Sequence, residues 1–157
     1  MTDRLFNAIR NADLAQVKEL LKAQPDLVNR SDQRGSSPLL LATYFGQPQI
    51  VSELLKHRPD VNRRDAAGNT ALMGVAFKGY VEMARLLLDA GADPNLTNSQ
   101  GATALIYAAG FGHKDLVSLL LEKGADPAIS DQTGQTAIGQ ARMKNFTDIV
   151  TILEARL

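Results

Sequence analysis

The chain contains no cysteine. That removes a disulfide framework, a thiolate nucleophile and a zinc–thiolate site together. It also has no excess of charge: 17 Lys and Arg face 17 Asp and Glu, for a formal net charge of zero. A dominant electrostatic attraction to nucleic acid or to an anionic membrane is therefore not expected, although a local patch remains open. No apolar run approaches the roughly 18 residues of a spanning helix, and the opening MTDRLFNAIRNADL lacks a charged leader before an apolar stretch. The expectation is a soluble, cytoplasmic, monomeric protein with no membrane or nucleic-acid partner. Its hydrophobic fraction of 45% and charged fraction of 22% are ordinary for a globular chain.

What the chain does have is a period. Asp32, Asp65, Asn98 and Asp131 follow one another at intervals of 33 residues. Gly35, Gly68, Gly101 and Gly134 recur with them, as do Ser37, Thr70, Thr103 and Thr136, then Leu39, Leu72, Leu105 and Ile138. A repeat of this length implies stacked units, none of which can bury its apolar face alone. The expected division is one domain, 1–157, in units of about 1–31, 32–64, 65–97, 98–130 and 131–157.

Within a unit the residues read as turn, short helix, turn, second helix. Gly68 suits a tight turn, where a residue without Cβ takes positive φ freely. Thr70 is placed to cap the first helix, and in the preceding unit Pro38 follows Ser37 at a favoured first helical position. Leu72, Met73, Val75 and Ala76 form its apolar face up to Gly79. A second helix is expected from about Val81 to Ala90, burying Met83, Ala84, Leu87 and Leu88, with Gly91 and Pro94 closing it. Lys114 to Lys123, with Gly124 and Pro127, reads the same way. Helices of about 8 to 10 residues fall below the roughly 12 to 15 that are even marginal in isolation. Stacking is required.

These residues resemble the ankyrin repeat family, whose pattern is D-x-x-G-x-T-P-L, then A-A-x-x-G-H, then L-L-x-x-G-A-D-x-N. The third unit matches at Asp65, Gly68, Thr70, Leu72, Ala76, Gly79, Leu87, Leu88, Gly91, Ala92, Asp93 and Asn95. The fourth adds Ala108, Ala109, Gly112, His113, Gly124, Ala125 and Asp126. The resemblance implies an all-α ankyrin repeat solenoid of about five units, degenerate caps included. It also implies a non-catalytic protein–protein interaction module. The alternative is a regulatory or inhibitory subunit that occludes an enzyme or toxin.

Departures from the pattern carry expectations of their own. The histidine that the family often places after the T-P-L leucine is replaced by Leu40, Met73, Ile106 and Gly139, so apolar packing is expected instead. Arg58 stands where neighbouring units have a closing glycine and precedes Pro59, so that helix is expected to end differently. Polar residues around the first and last helices read as end caps of a whole array.

Catalytic, cofactor and metal residues are expected to be absent. His113 falls in the family's G-H column at a helix junction, and His57, between Lys56 and Arg58, reads as solvated. The aspartates that open each unit read as turn residues bonding nearby backbone N–H groups. GNTALMG and GATALIYAAG have neither a P-loop lysine nor a preceding strand.

The candidate surface lies elsewhere. Tyr44 and Phe45, Phe77 and Lys78, Gly110 and Phe111, and Met143 and Lys144 occupy one column at the end of each first helix. In the ankyrin family this column faces the concave groove. Tyr107, one turn earlier, is expected to join it, and Arg34 stands out among the otherwise uncharged turn tips. The expected partner-binding set is thus Arg34, Tyr44, Phe45, Phe77, Lys78, Tyr107, Phe111, Met143 and Lys144, open to a protein partner. Arg30, Arg34, Arg58, Arg63 and Arg64 form a basic cluster that reads as solvated side chains.

Overall fold

One side-chain oxygen organises each turn. In the computed structural model, which describes residues 2–157, Asp32 Oδ1 accepts from the N–H of Arg34 and of Ser36, both at 2.9 Å. Asp65 does the same for Ala67 and Asn69, both at 2.9 Å. Asn98 holds Gln100 and Ala102 at 3.0 Å, and Asp131 holds Thr133 at 2.8 Å and Gln135 at 3.0 Å. The job needs one acceptor and no charge, which is why asparagine serves at position 98. Its spare amide N–H groups then reach Asn69 Oδ1 at 2.8 Å and the Tyr107 hydroxyl at 2.7 Å.

The turn delivers the chain to a capped helix. Ser37, Thr70, Thr103 and Thr136 each accept, through the side-chain oxygen, from the N–H three residues on. This satisfies one orphan donor of the first helical turn. The helices that follow are α1 (Thr2–Arg10), α2 (Leu14–Ala23), α3 (Pro38–Tyr44), α4 (Pro48–Leu55), α5 (Ala71–Lys78), α6 (Val81–Asp89), α7 (Ala104–Gly110), α8 (Lys114–Glu122), α9 (Ala137–Met143) and α10 (Thr147–Glu154). A 3₁₀ turn, Pro25–Asn29, follows α2. No strand occurs among the described residues.

Helices pair within a unit and stack between units. The odd-numbered helices form an inner row from α1 to α9, the even-numbered ones an outer row from α2 to α10, each packed on the next. The inner row contributes Leu39, Leu72, Leu105 and Ile138 to a continuous core, the outer row Leu54, Leu87, Leu120 and Leu153. Met73 and Ile106 are buried in the column where the family often has histidine and Leu40 is partly so; apolar packing replaces that side chain in these three units, whereas Gly139 brings no side chain to the column.

Polar ties run along the stack as well. Asn29, Asn62 and Asn95 each accept, through Oδ1, from the backbone N–H of Asp60, Asp93 and Asp126 in the next unit, at 2.7–3.0 Å. At the turn tips Ser99 N–H donates to the Ala67 carbonyl (3.1 Å) and Gln132 N–H to that of Gln100 (2.9 Å). The backbones come so close that a Cβ on Gly68 would lie 3.0 Å from Ser99 N, and one on Gly101 3.1 Å from Gln132 N. The earlier pair of tips is not laced in this way: a Cβ on Gly35 meets nothing within 4 Å.

The end of α4 differs from its neighbours in part. Arg58 still takes the left-handed conformation, φ 53°, as Gly91 and Gly124 do at 98° and 93°. Its N–H reaches the Leu55 carbonyl at 3.1 Å, just as Gly91 reaches Leu88. What is lost is the next bond: Ala92 and Ala125 donate back to Leu87 and Leu120 at 3.0 and 2.9 Å, and Pro59 has no N–H to give. A Cβ-bearing residue at positive φ is strained. Arg58→Gly is therefore expected to stabilise the fold by about 0.5–1 kcal/mol, seen as a melting temperature a few degrees higher. An unchanged or lower melting temperature would show that arginine is not strained there.

Candidate partner-binding surface

Three inner helices, α3, α5 and α7, end on exposed rings. Tyr44 is 65% exposed, Phe45 45%, Phe77 48% and Phe111 45%, and Met143 continues the column at 65%. Each position is fixed by the same register: the caps at Ser37, Thr70, Thr103 and Thr136 set where each helix starts, and one face of seven or eight residues goes into the core. The last turn is left pointing outward. The rings gather in two groups. Tyr44 meets Phe45 edge-on at 5.4 Å, while Phe77 lies 4.4 Å from Phe111 and 6.2 Å from Tyr107. Such contacts hold rings in place without burying them.

An open groove of about 690 Å³ runs beside them, between the turn tips and the α3 and α5 helices. Arg34, Tyr44, Phe45, Phe77, Lys78 and Tyr107 all line it. Phe111, Met143 and Lys144 lie further along the inner row, beyond its lining. Tyr107 is half-buried and its hydroxyl is taken by Asn98, so it offers a ring edge and not a free polar tip. Arg34 is exposed, and its guanidinium has no partner among the described residues.

The two lysines are already engaged. Lys78 Nζ donates to the Tyr44 carbonyl at 2.5 Å and sits 4.3 Å above that ring. Lys144 Nζ donates to the Gly110 carbonyl at 3.1 Å, with the Phe111 ring 5.2 Å away. A cation at the carbonyl end of the preceding inner helix meets both its free acceptor and its dipole. Both lysines thus fasten one unit to the one before, which spacing alone did not reveal.

Other side chains are structural. His113 Nε2 lies 2.9 Å from the Phe77 carbonyl, at the helix junction where it was expected, with its ring against Gly79, where a Cβ would come within 2.6 Å. Tyr80 and Phe146, in the same column, lie over Gly46 and Gly112. Tyr80 is itself exposed and near Lys78; the residue after each left-handed glycine was the available signal for it. His57 is not solvated but half-buried, 3.3 Å from Glu53. Arg63 also leaves the basic cluster, donating to the Asn29 carbonyl at 2.9 Å and to Ser31 Oγ.

Against this geometry, the family model for ankyrin repeats in three copies matches residues 5–98 and 75–155. The chain belongs to the ankyrin repeat family. Ankyrin repeats are generally protein–protein interaction modules and typically carry no catalysis. No curated protein matches the chain. Among the described residues of this ankyrin repeat protein, no group of three or more His, Asp or Glu is placed to hold a metal ion, and no helix is long and apolar enough to cross a membrane.

One carboxyl in the turns is perturbed. Asp131 is held below its ordinary value of 3.8, first by the Thr133 hydroxyl and then by the N–H groups of Gln135 and Thr133, against an opposing effect of burial. A depressed carboxyl contributes stability above the unfolded value, and loses it as pH falls through the folded value. Thr133→Val should therefore raise the Asp131 pKa, followed by carboxyl NMR titration, and weaken the fold at neutral pH more than at a pH below the folded value of that carboxyl. An unmoved titration midpoint would show that the hydroxyl does not set it.

Proposed function

We propose that this ankyrin repeat chain is a non-catalytic interaction module that captures a protein partner on the groove and turn tips of its inner row. The observation that carries the reading is the line of half-exposed rings from Tyr44 to Phe111 beside a groove of about 690 Å³. Large rigid rings give much buried area on association and lose few rotamers. Here they are already fixed by their neighbours and by a stack whose turns and caps are internally bonded, so little ordering remains to be done when a partner arrives. Arg34 supplies the uncommitted charge. Lys78 and Lys144 act through the shape they hold. The stack works as one domain and one copy.

The test is the paired replacement Phe77→Ala and Phe111→Ala. Both rings are about half exposed, so the melting temperature should fall by only a few degrees. Affinity capture from the protein's own cell, read by mass spectrometry, should lose the partner recovered with the wild type. Undiminished recovery of that partner would remove the ring column from the binding surface.

A further inference from the structure

The groove floor contains one missing side chain. Helices α3, α5 and α7 place Leu41, Gly74 and Tyr107 of one column there, and α9 continues the column with Gln140 beyond its lining. Three of these carry long side chains, and Gly74, in the middle of the eight-residue α5, carries none. Nothing in the backbone calls for glycine at this point. Its φ is helical, and a Cβ built on it meets no atom within 4 Å. Glycine inside a helix is less stable than alanine, and this one neither relieves a clash nor permits a close approach. What it does is leave a hollow flanked by Leu41 and Tyr107, with Tyr44 and Phe77 one helical turn further on, all lining the same groove.

The charges around that groove are unequal. Arg10, Arg34 and Lys78 line it with Asp32 and Asp65. Each aspartate has one oxygen committed to two N–H groups of its own turn. Arg10 approaches Asp32 only to 3.9 Å, Lys78 caps a carbonyl, and Arg34 has no partner among the described residues. A carboxylate entering the groove finds a free guanidinium, whereas an entering cation finds only the second oxygens of Asp65 and of Asp32, the latter already facing Arg10.

We infer that the hollow over Gly74 is a socket for one large aliphatic or aromatic side chain of an acidic partner segment, whose nearby Asp or Glu pairs with Arg34. This rests on the proposed partner-binding role of the groove. It specifies the chemistry of what that groove accepts.

The test is selection of phage-displayed random dodecapeptides on the full chain. The best peptide is then labelled with fluorescein and titrated by fluorescence anisotropy. Selected sequences should pair a Leu, Ile, Met or Phe with an Asp or Glu within about four positions. Gly74→Leu, which fills the hollow, should weaken binding about tenfold or more while melting no lower than the wild type. Should that variant fold poorly, Arg34→Glu gives an independent reading: binding falls, and exchanging the peptide's acid for lysine restores it. Peptides that need Phe77 and Phe111 yet ignore both Gly74→Leu and Arg34→Glu would overturn the socket and leave the binding role standing. No enrichment at all, or binding untouched by loss of the two phenylalanines, would overturn both.

Discussion

No helix in this chain can hold itself up. The inner and outer helices have between seven and ten residues, too few to persist alone in water. Their stability comes from laying one apolar face on the neighbouring unit. Leu54, Leu87, Leu120 and Leu153, each fully buried, mark where that happens once per layer. A stack held in this way has near-neighbour energetics: each layer depends on the two beside it and hardly on those beyond. The functional surface follows from the same constraint. A seven-residue helix with one face inward has little left to present except its last turn and its leading loop, which is where the rings and turn tips are.

The polar backbone is satisfied by a small set of repeated devices. An Asp or Asn oxygen closes each of the four turns, a Ser or Thr oxygen caps the inner helix that follows it, and an Asn oxygen ties each of three layers to the next. These bonds add modest stability one by one. Together they fix the direction of α3, α5, α7 and α9 before anything binds, and that fixes the spacing of Tyr44, Phe77 and Phe111.

Much of this is readable in the sequence, because it depends on residue type at a fixed interval. The turn acids, the caps, the leucine ladder and the exposed ring column all follow from the period and from what one helical turn separates. The rest depends on what a side chain meets in the next layer. Lys78 and Lys144 look like free surface charges until the carbonyls of Tyr44 and Gly110 are seen beneath them. The Tyr107 hydroxyl is occupied by the amide of Asn98, a donor that the aspartates of the other units lack. Arg58 was expected to break the pattern and instead adopts the glycine-like conformation, with the departure confined to the bond that Pro59 cannot make. Gly74 gives no local sign at all. Its meaning appears only when Leu41 and Tyr107 stand on either side.

The tie between Asn95 and the following layer has a consequence for how such a protein can change length. Its oxygen meets the N–H of Asp126 and its amide the carbonyl of Gly124, both main-chain groups, which every unit possesses whatever its side chains are. A gene that gained or lost one whole 33-codon block between such residues would bring the same donor and acceptor back into place. A block of any other size would keep the joint only if a loop took up the difference. The joint is thus indifferent to which unit comes next, leaving the residues of the open face to vary while the spine is copied unchanged.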